Sequence, residues 1–166
     1  AVGTGLRSEF TLWLMGHIPQ AVSPWTMGFT AALTIVAAVW ASGMGRAMDV
    51  ATFGDDEARS VGLPLGRLRL LMFALAGMLA AATVAIAGPI GFVGLVCPHA
   101  ARLVMGPRHG PLVIGAAVAG IIMVVGADVA RQGINIGTGR MPIGIFTALI
   151  GGPAFIALLL TGRGRA

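Results

Sequence analysis

The hydrophobic positions of this chain gather in long uncharged blocks, and the charged positions collect in the intervals between them. A hydrocarbon core about 30 Å thick takes roughly 20 residues of helix to cross, so block length is the first quantity to weigh. Trp25–Ala41 is the first block, after a polar break at His17, Pro19, Gln20 and Pro24. A charged stretch from Arg46 to Arg69 follows. Leu70–Ala101 then runs without a charge; as one helix it would measure about 48 Å, too long for a single crossing. Gly88-Pro89-Ile90-Gly91 lies near its middle, and proline lacks the amide that a helix interior needs. The run therefore divides into Leu70–Ala87 and Gly91–Met105, two crossings joined by a tight turn, the second short and interrupted by Pro98. Pro111–Ala127 is the next block, and Asp128, Arg131 and Arg140 mark a polar loop after it. Ile143–Leu160 is the last block, before a basic tail with Arg163 and Arg165. The expectation is an all-α, polytopic membrane helix bundle of about five transmembrane helices.

Composition supports lipid as the solvent. The chain is 57% hydrophobic and 10% charged, where a soluble domain carries about a quarter charged residues. All 11 basic residues are arginine, and the net charge is +5. In a soluble protein that surplus would suggest nucleic acid; here the arginines sit between apolar blocks and report topology instead. Alternate intervals form two sets. One holds Arg46, Arg59, Arg67, Arg69, Arg102, Arg108, Arg163 and Arg165; the other holds Arg7, Arg131 and Arg140. The heavier set is expected on the cytoplasmic side, which puts the C-terminus inside, the N-terminus outside, and requires an odd number of crossings. The chain begins at Ala1 with Arg7 and Glu9 close behind and no cleavage pattern, which reads as a start inside a longer chain.

Small residues recur at spacing four, at Gly77, Ala81 and Ala85 and again at Gly115 and Ala119, a pattern that lets membrane helices approach closely. The charged interval 46–69 reads as two short helices, roughly Ala47–Phe53 and Asp56–Val61, bent at Gly54. Asp55 is placed to cap the second, Asp56 and Glu57 complement its dipole, and Gly62 followed by Pro64 stops it. Val50, Phe53, Ala58 and Val61 offer a small apolar face, flanked by Arg59. That pattern suits a knob seated in a soluble partner and equally an amphipathic connector lying on lipid. Cys97-Pro98-His99 supplies at most two metal ligands where a closed zinc site takes four, so a structural role is expected, with Pro98 freeing a carbonyl that His99 or a neighbour satisfies. Gly151-Gly152-Pro153 inside the last block is a backbone weakness that either lines a pathway, hinges, or packs closely.

Three segments in order and register resemble the FecCD-like permease family of ATP-binding-cassette importers. They are Gly88–Leu103 (GPIGFVGLVCPHAARL), Met141–Phe155 (MPIGIFTALIGGPAF) and Gly54–Leu65 (GDDEARSVGLPL). The family carries iron–siderophore, haem and cobalamin chelates through permeases of ten spans in two inverted halves. The resemblance implies that residues 1–166 are one transmembrane permease domain, the C-terminal half of a ten-span type II importer permease in the bacterial inner membrane. It makes 46–69 the cytoplasmic coupling loop that docks on an ATP-binding subunit, through Val50, Phe53, Gly54, Asp55, Asp56, Glu57, Ala58, Arg59, Val61 and Gly62. It makes Arg131, three residues after Asp128, the residue that meets an acidic group on the substrate-binding protein, with Arg140 as the second candidate and an Asp128–Arg131 pair within the loop as the alternative. Gly88, Pro89, Pro98, Gly151, Gly152 and Pro153 become helix breaks or pathway elements. The implied partners are an ATP-binding subunit, a substrate-binding protein, the other permease half or a second permease subunit, and the bilayer.

Catalytic chemistry is not expected of this chain. It has no lysine and no glycine-rich loop ending in Gly-Lys-Ser/Thr, so ATP and magnesium belong to the partner ATPase and no cofactor is assigned here. An ion-coupled secondary transporter needs ionisable groups near the bilayer midplane, and Glu9, Asp49, Asp55, Asp56, Glu57 and Asp128 all fall in intervals or at block ends. A membrane-embedded serine hydrolase needs a serine beside a histidine inside a block, and none of Ser8, Ser23, Ser42 and Ser60 is so placed.

Overall fold

A computed structural model describes Gly16, residues 22–133 and residues 142–162. Every element among the described residues is helical: α1 (Pro24–Gly43), α2 (Gly45–Ala51), α3 (Asp55–Ser60), α4 (Leu65–Ala87), α5 (Val93–Met105), α6 (His109–Gly133) and α7 (Ile143–Gly162). Three of them, α1, α4 and α6, are long and apolar enough to cross a membrane. α5 has 13 residues and rises only about 20 Å, so it does not cross by itself. Two boundaries differ from those expected. α4 begins at Leu65, with Arg67 and Arg69 already helical, because Pro64 sits at its N-cap where no amide is needed. α6 continues to Gly133, so Asp128 and Arg131 lie in its last turns and not in a loop; Asp128 accepts bonds from both Arg131 and Gln132, which ties the polar end into helix.

The bundle is organised on α6, which packs against α1, α2, α5 and α7. Glycine decides how close those helices come. A Cβ on Gly115 would stand 3.3 Å from the Ala101 Cβ and 2.8 Å from Met105 Cγ, so the α5–α6 contact uses the expected small row. A Cβ on Gly77 of α4 would meet nothing within 4 Å, and Ala81 and Ala85 of the same row are exposed, so that row packs on none of the described residues. The buried core is small: Ala127, Ile143 and Phe146, with Ile90 and Val124 against them. Outside it large apolar side chains face outward, Phe73 at 80% exposure and Val104 at 81% among them. Water would penalise such a surface, which α1, α4, α5, α6 and α7 all carry; lipid and further helices would not.

Between α4 and α5 the backbone leaves helix through two residues at positive φ. Gly88 ends α4 at φ 69°, and Phe92, the N-cap of α5, is left-handed at φ 67°. Non-helical backbone at membrane depth is tolerated only when protein covers it. Here Gly88 is buried, Gly16 approaches the Pro89 carbonyl so closely that a Cβ would stand 2.9 Å from it, and the Gly16 carbonyl accepts the amide of Ile143 at 3.2 Å.

Candidate functional site

The charged interval folds as two short helices bent at Gly54, close to the expected boundaries. Gly54 sits at φ 133°, a conformation that side chains resist, and it is itself the N-cap of α3. The cap expected from Asp55 does not form: Asp55 is the first helical residue, and its carboxylate turns to Arg69 on α4, at 2.6 Å from Nη2 and 3.3 Å from Nη1. Arg69 holds the Asp55 carboxyl below the usual carboxylate range, first by hydrogen bonding and then by charge. Glu57 curls back over Gly54 instead, its Oε2 2.5 Å from where a Cβ would be. Of the expected apolar face, Ala58 is fully buried and contributes packing, whereas Phe53 at 75% and Val61 at 69% stand exposed and Val50 is half-buried. Asp56, Arg59 and Gly62 are also exposed. The result is an aromatic knob on a charged rim.

An anchor 60 residues away in sequence holds this knob. Asp49 on α2 accepts the backbone N–H of His109 at 2.9 Å, and the same oxygen lies 2.7 Å from His109 Nδ1. The carboxylate thus caps the first turn of α6 from another helix, where it also meets the positive end of the helix dipole. The backbone bond from His109 is the main reason that the Asp49 carboxyl is held below its ordinary value, and Arg108 adds to it. Gly45 makes the approach possible: a Cβ there would come within 2.5 Å of the Gly110 nitrogen. Nothing in the local sequence around Asp49 announces His109; only the polar type of both residues at the ends of apolar blocks hints at it.

Both carboxylates have lowered pKa values, so each contributes stability above about pH 4, the ordinary aspartate range, and loses it as pH falls through the lowered value. A nitroxide probe at position 60 is therefore expected to report an ordered loop at neutral pH and a mobile one in strong acid, with Asp49→Asn already mobile at neutral pH. Identical spectra for Asp49→Asn and the parent at neutral pH would show that the anchor does not order the loop.

At the other end of α6, Arg131 Nη2 donates to Asp128 at 2.6 Å, and the two side chains are 12% and 27% exposed. The pairing weighed against docking is therefore formed. Arg140 lies outside the described residues. Pro98 sits inside an uninterrupted α5, and His99 Nδ1 lies 2.8 Å from the Leu95 carbonyl, one turn back. Cys97 is buried, its thiol 3.6 Å from the Met123 sulfur. α7 likewise runs through Gly151, Gly152 and Pro153 unbroken. Gly151 is pressed on the Phe92 side chain, where a Cβ would collide, so close packing explains Gly151; Gly152 faces open space.

The description "FecCD transport family" matches residues 5–161. The haemin transport system permease protein of Yersinia pestis is 34% identical over 93% of this chain and 46% of its own length. The vitamin B12 import system permease protein of Citrobacter koseri is 36% identical, with the same two shares. The cobalamin import system permease protein of Halobacterium salinarum is 39% identical over 93% of this chain and 41% of its own length. The chain thus spans about half the length of the curated relatives it matches. A solved structure described as an inward-facing conformation of a metal-chelate type ABC transporter superposes with a TM-score of 0.82 at 30% identity, over 92% of this chain and 50% of that one.

Proposed function

Because this chain belongs to the FecCD transport family, a family of transporter permeases, we propose that it forms half of the translocation pathway of an importer for a haem-like or corrinoid metal chelate, powered by a separate ATP-binding subunit. The observation that carries the reading is the aromatic knob at Phe53, exposed at the end of α2 and fastened to the bundle by Asp49–His109 and Asp55–Arg69. A docking element must be rigid if closure of an ATPase dimer is to move helices through it. α6 links His109 at this end of the bundle to Arg131 about 33 Å away, so the two proposed docking faces lie toward opposite ends of one helix. The arginine distribution supports a multi-pass arrangement in the cytoplasmic membrane, with the knob and the C-terminus on the cytoplasmic side. Two of the relatives it resembles are named as permeases of haemin transport and vitamin B12 import systems, which favours those chelates over iron–siderophores. ATP and magnesium bind the partner.

The test is uptake into proteoliposomes holding the intact permease with its ATP-binding subunit and binding protein. ATP-dependent accumulation of haemin or cobalamin is expected. Uptake that follows a proton gradient without ATP would overturn the reading in favour of an ion-coupled carrier.

A substrate-binding protein is proposed to meet the Arg131 end, with Arg140, nine residues on, as the second candidate. The Asp128 pairing holds the guanidinium in place for that contact. Arg131→Glu reverses the charge and repels Asp128, so binding-protein affinity is expected to fall about tenfold, with ATPase capture unchanged. Equal affinities for variant and parent would remove Arg131 from the docking face.

A further inference from the structure

The turn between α5 and α6 builds a basic pocket against the base of the coupling knob, with two arginines that the proposed function does not use. α5 ends at Met105, where the Arg102 carbonyl accepts the amide of Gly106. Gly106 takes φ 78°, and Pro107 and Arg108 lead directly into α6, whose second turn bonds back to the Arg108 carbonyl through Leu112. This short reversal puts Arg102 and Arg108 on the wall of one open pocket of about 450 Å³, completed by Thr52 and Phe53 from the coupling side. Asp49 also lines it, but its Oδ1 is occupied by the His109 amide and ring. Arg102 and Arg108 are both exposed, so the charge surplus on the pocket wall is positive.

Position decides what such a pocket can hold. It lies where the apolar α5 ends and the long apolar α6 begins, and the ends of membrane helices meet the lipid headgroups. Immediately beside Arg102, Leu103, Val104 and Met105 are 71%, 81% and 47% exposed. A free phosphate would use only the arginines. A phosphodiester carrying acyl chains uses the arginines for its headgroup and the apolar strip on α5 for its tails. We propose that this pocket binds the phosphate headgroup of an anionic phospholipid, with its chains along α5. Basic pockets between membrane helices at the interface are suited to this chemistry, each arginine adding attraction that survives only within a Debye length. Because Phe53 closes one side, the bound headgroup would touch the base of the knob as well.

Native mass spectrometry of the intact protein in detergent tests this with phosphatidylglycerol, phosphatidylcholine and inorganic phosphate as probes. Phosphatidylglycerol is expected to be retained over phosphatidylcholine, and Arg102→Gln with Arg108→Gln is expected to lower that retention about 30-fold. The corresponding double lysine variant keeps charge without the fork and is expected to retain most of the binding, which separates loss of charge from loss of fold. Arg67→Gln, on α4, serves as the surface control and is expected to change nothing. Retention that is equal for the two lipids, or unaffected by the double glutamine variant, overturns the proposal. Displacement of the lipid by millimolar inorganic phosphate would assign the pocket to free anions instead. A double glutamine variant that keeps phosphatidylglycerol but loses capture of the ATP-binding subunit would assign it to protein docking, and overturns the lipid site equally.

Discussion

Replacing Gly45 with valine is expected to detach the coupling helices from the bundle and to cost about 3 kcal/mol or more of stability, seen as a lower midpoint of thermal unfolding in detergent. The reason is the kind of atom in the way. A Cβ on Gly45 would stand 2.5 Å from the Gly110 nitrogen and 2.6 Å from its Cα. Backbone in the first turn of a helix cannot rotate aside as a flexible side chain can. α2 must therefore move away from α6, and once it moves Asp49 no longer reaches the His109 amide. That leaves a helix N-terminus without its cap. Alanine is expected to act in the same direction with a smaller loss, since the first added carbon already makes the clash. Gly43, two positions earlier with nothing within 4 Å, is the matched control and should tolerate alanine with little change. Equal unfolding midpoints for Gly45→Val and the parent would mean that α2 is not seated on α6 as described.

This contact also marks the limit of what the primary sequence could disclose. The blocks of apolar residues located the long helices, and Gly54 located the bend, because each is a local property: run length, missing amide, permitted φ. The Gly115 row was legible as a packing face for the same reason, although its partner on α5 was not. The anchors were not legible. Asp55 has the type and position of an N-cap, but a guanidinium 14 residues on competes for it and wins two hydrogen bonds. Asp49 and His109 meet across two chain reversals, and their pairing follows from the Gly45–Gly110 approach, itself a tertiary event. Polar residues near Asp128 suggested a loop where bonding to Arg131 and Gln132 instead extends the helix. Phe92 is the clearest case of tertiary override: nothing about phenylalanine favours a left-handed backbone, yet its side chain is held against Gly151 on α7. The family resemblance supplied the coupling and docking roles; physical pattern alone left the loop undecided between a partner and the lipid surface.

Phe53→Asp resolves that choice and carries the largest functional effect. Phe53 is 75% exposed, so the change removes little packing, and the unfolding midpoint is expected to stay within a few degrees of the parent. If the knob seats in a groove of the ATP-binding subunit, the ring is the anchor of that contact. Truncated aromatic anchors commonly cost 2 kcal/mol or more, which is about a 30-fold loss of affinity. A carboxylate put in the ring's place adds the cost of burying a charge. ATP-driven uptake should then fall at least tenfold while lipid insertion and binding-protein affinity are retained. The lipid-lying connector makes the opposite prediction. There the aspartate would lift the loop into water, raise the reactivity of a cysteine probe at position 60, and leave ATPase capture intact. Measuring capture and probe reactivity on the same variant separates the two, because a partner groove and a bilayer surface respond in opposite order to the same carboxylate.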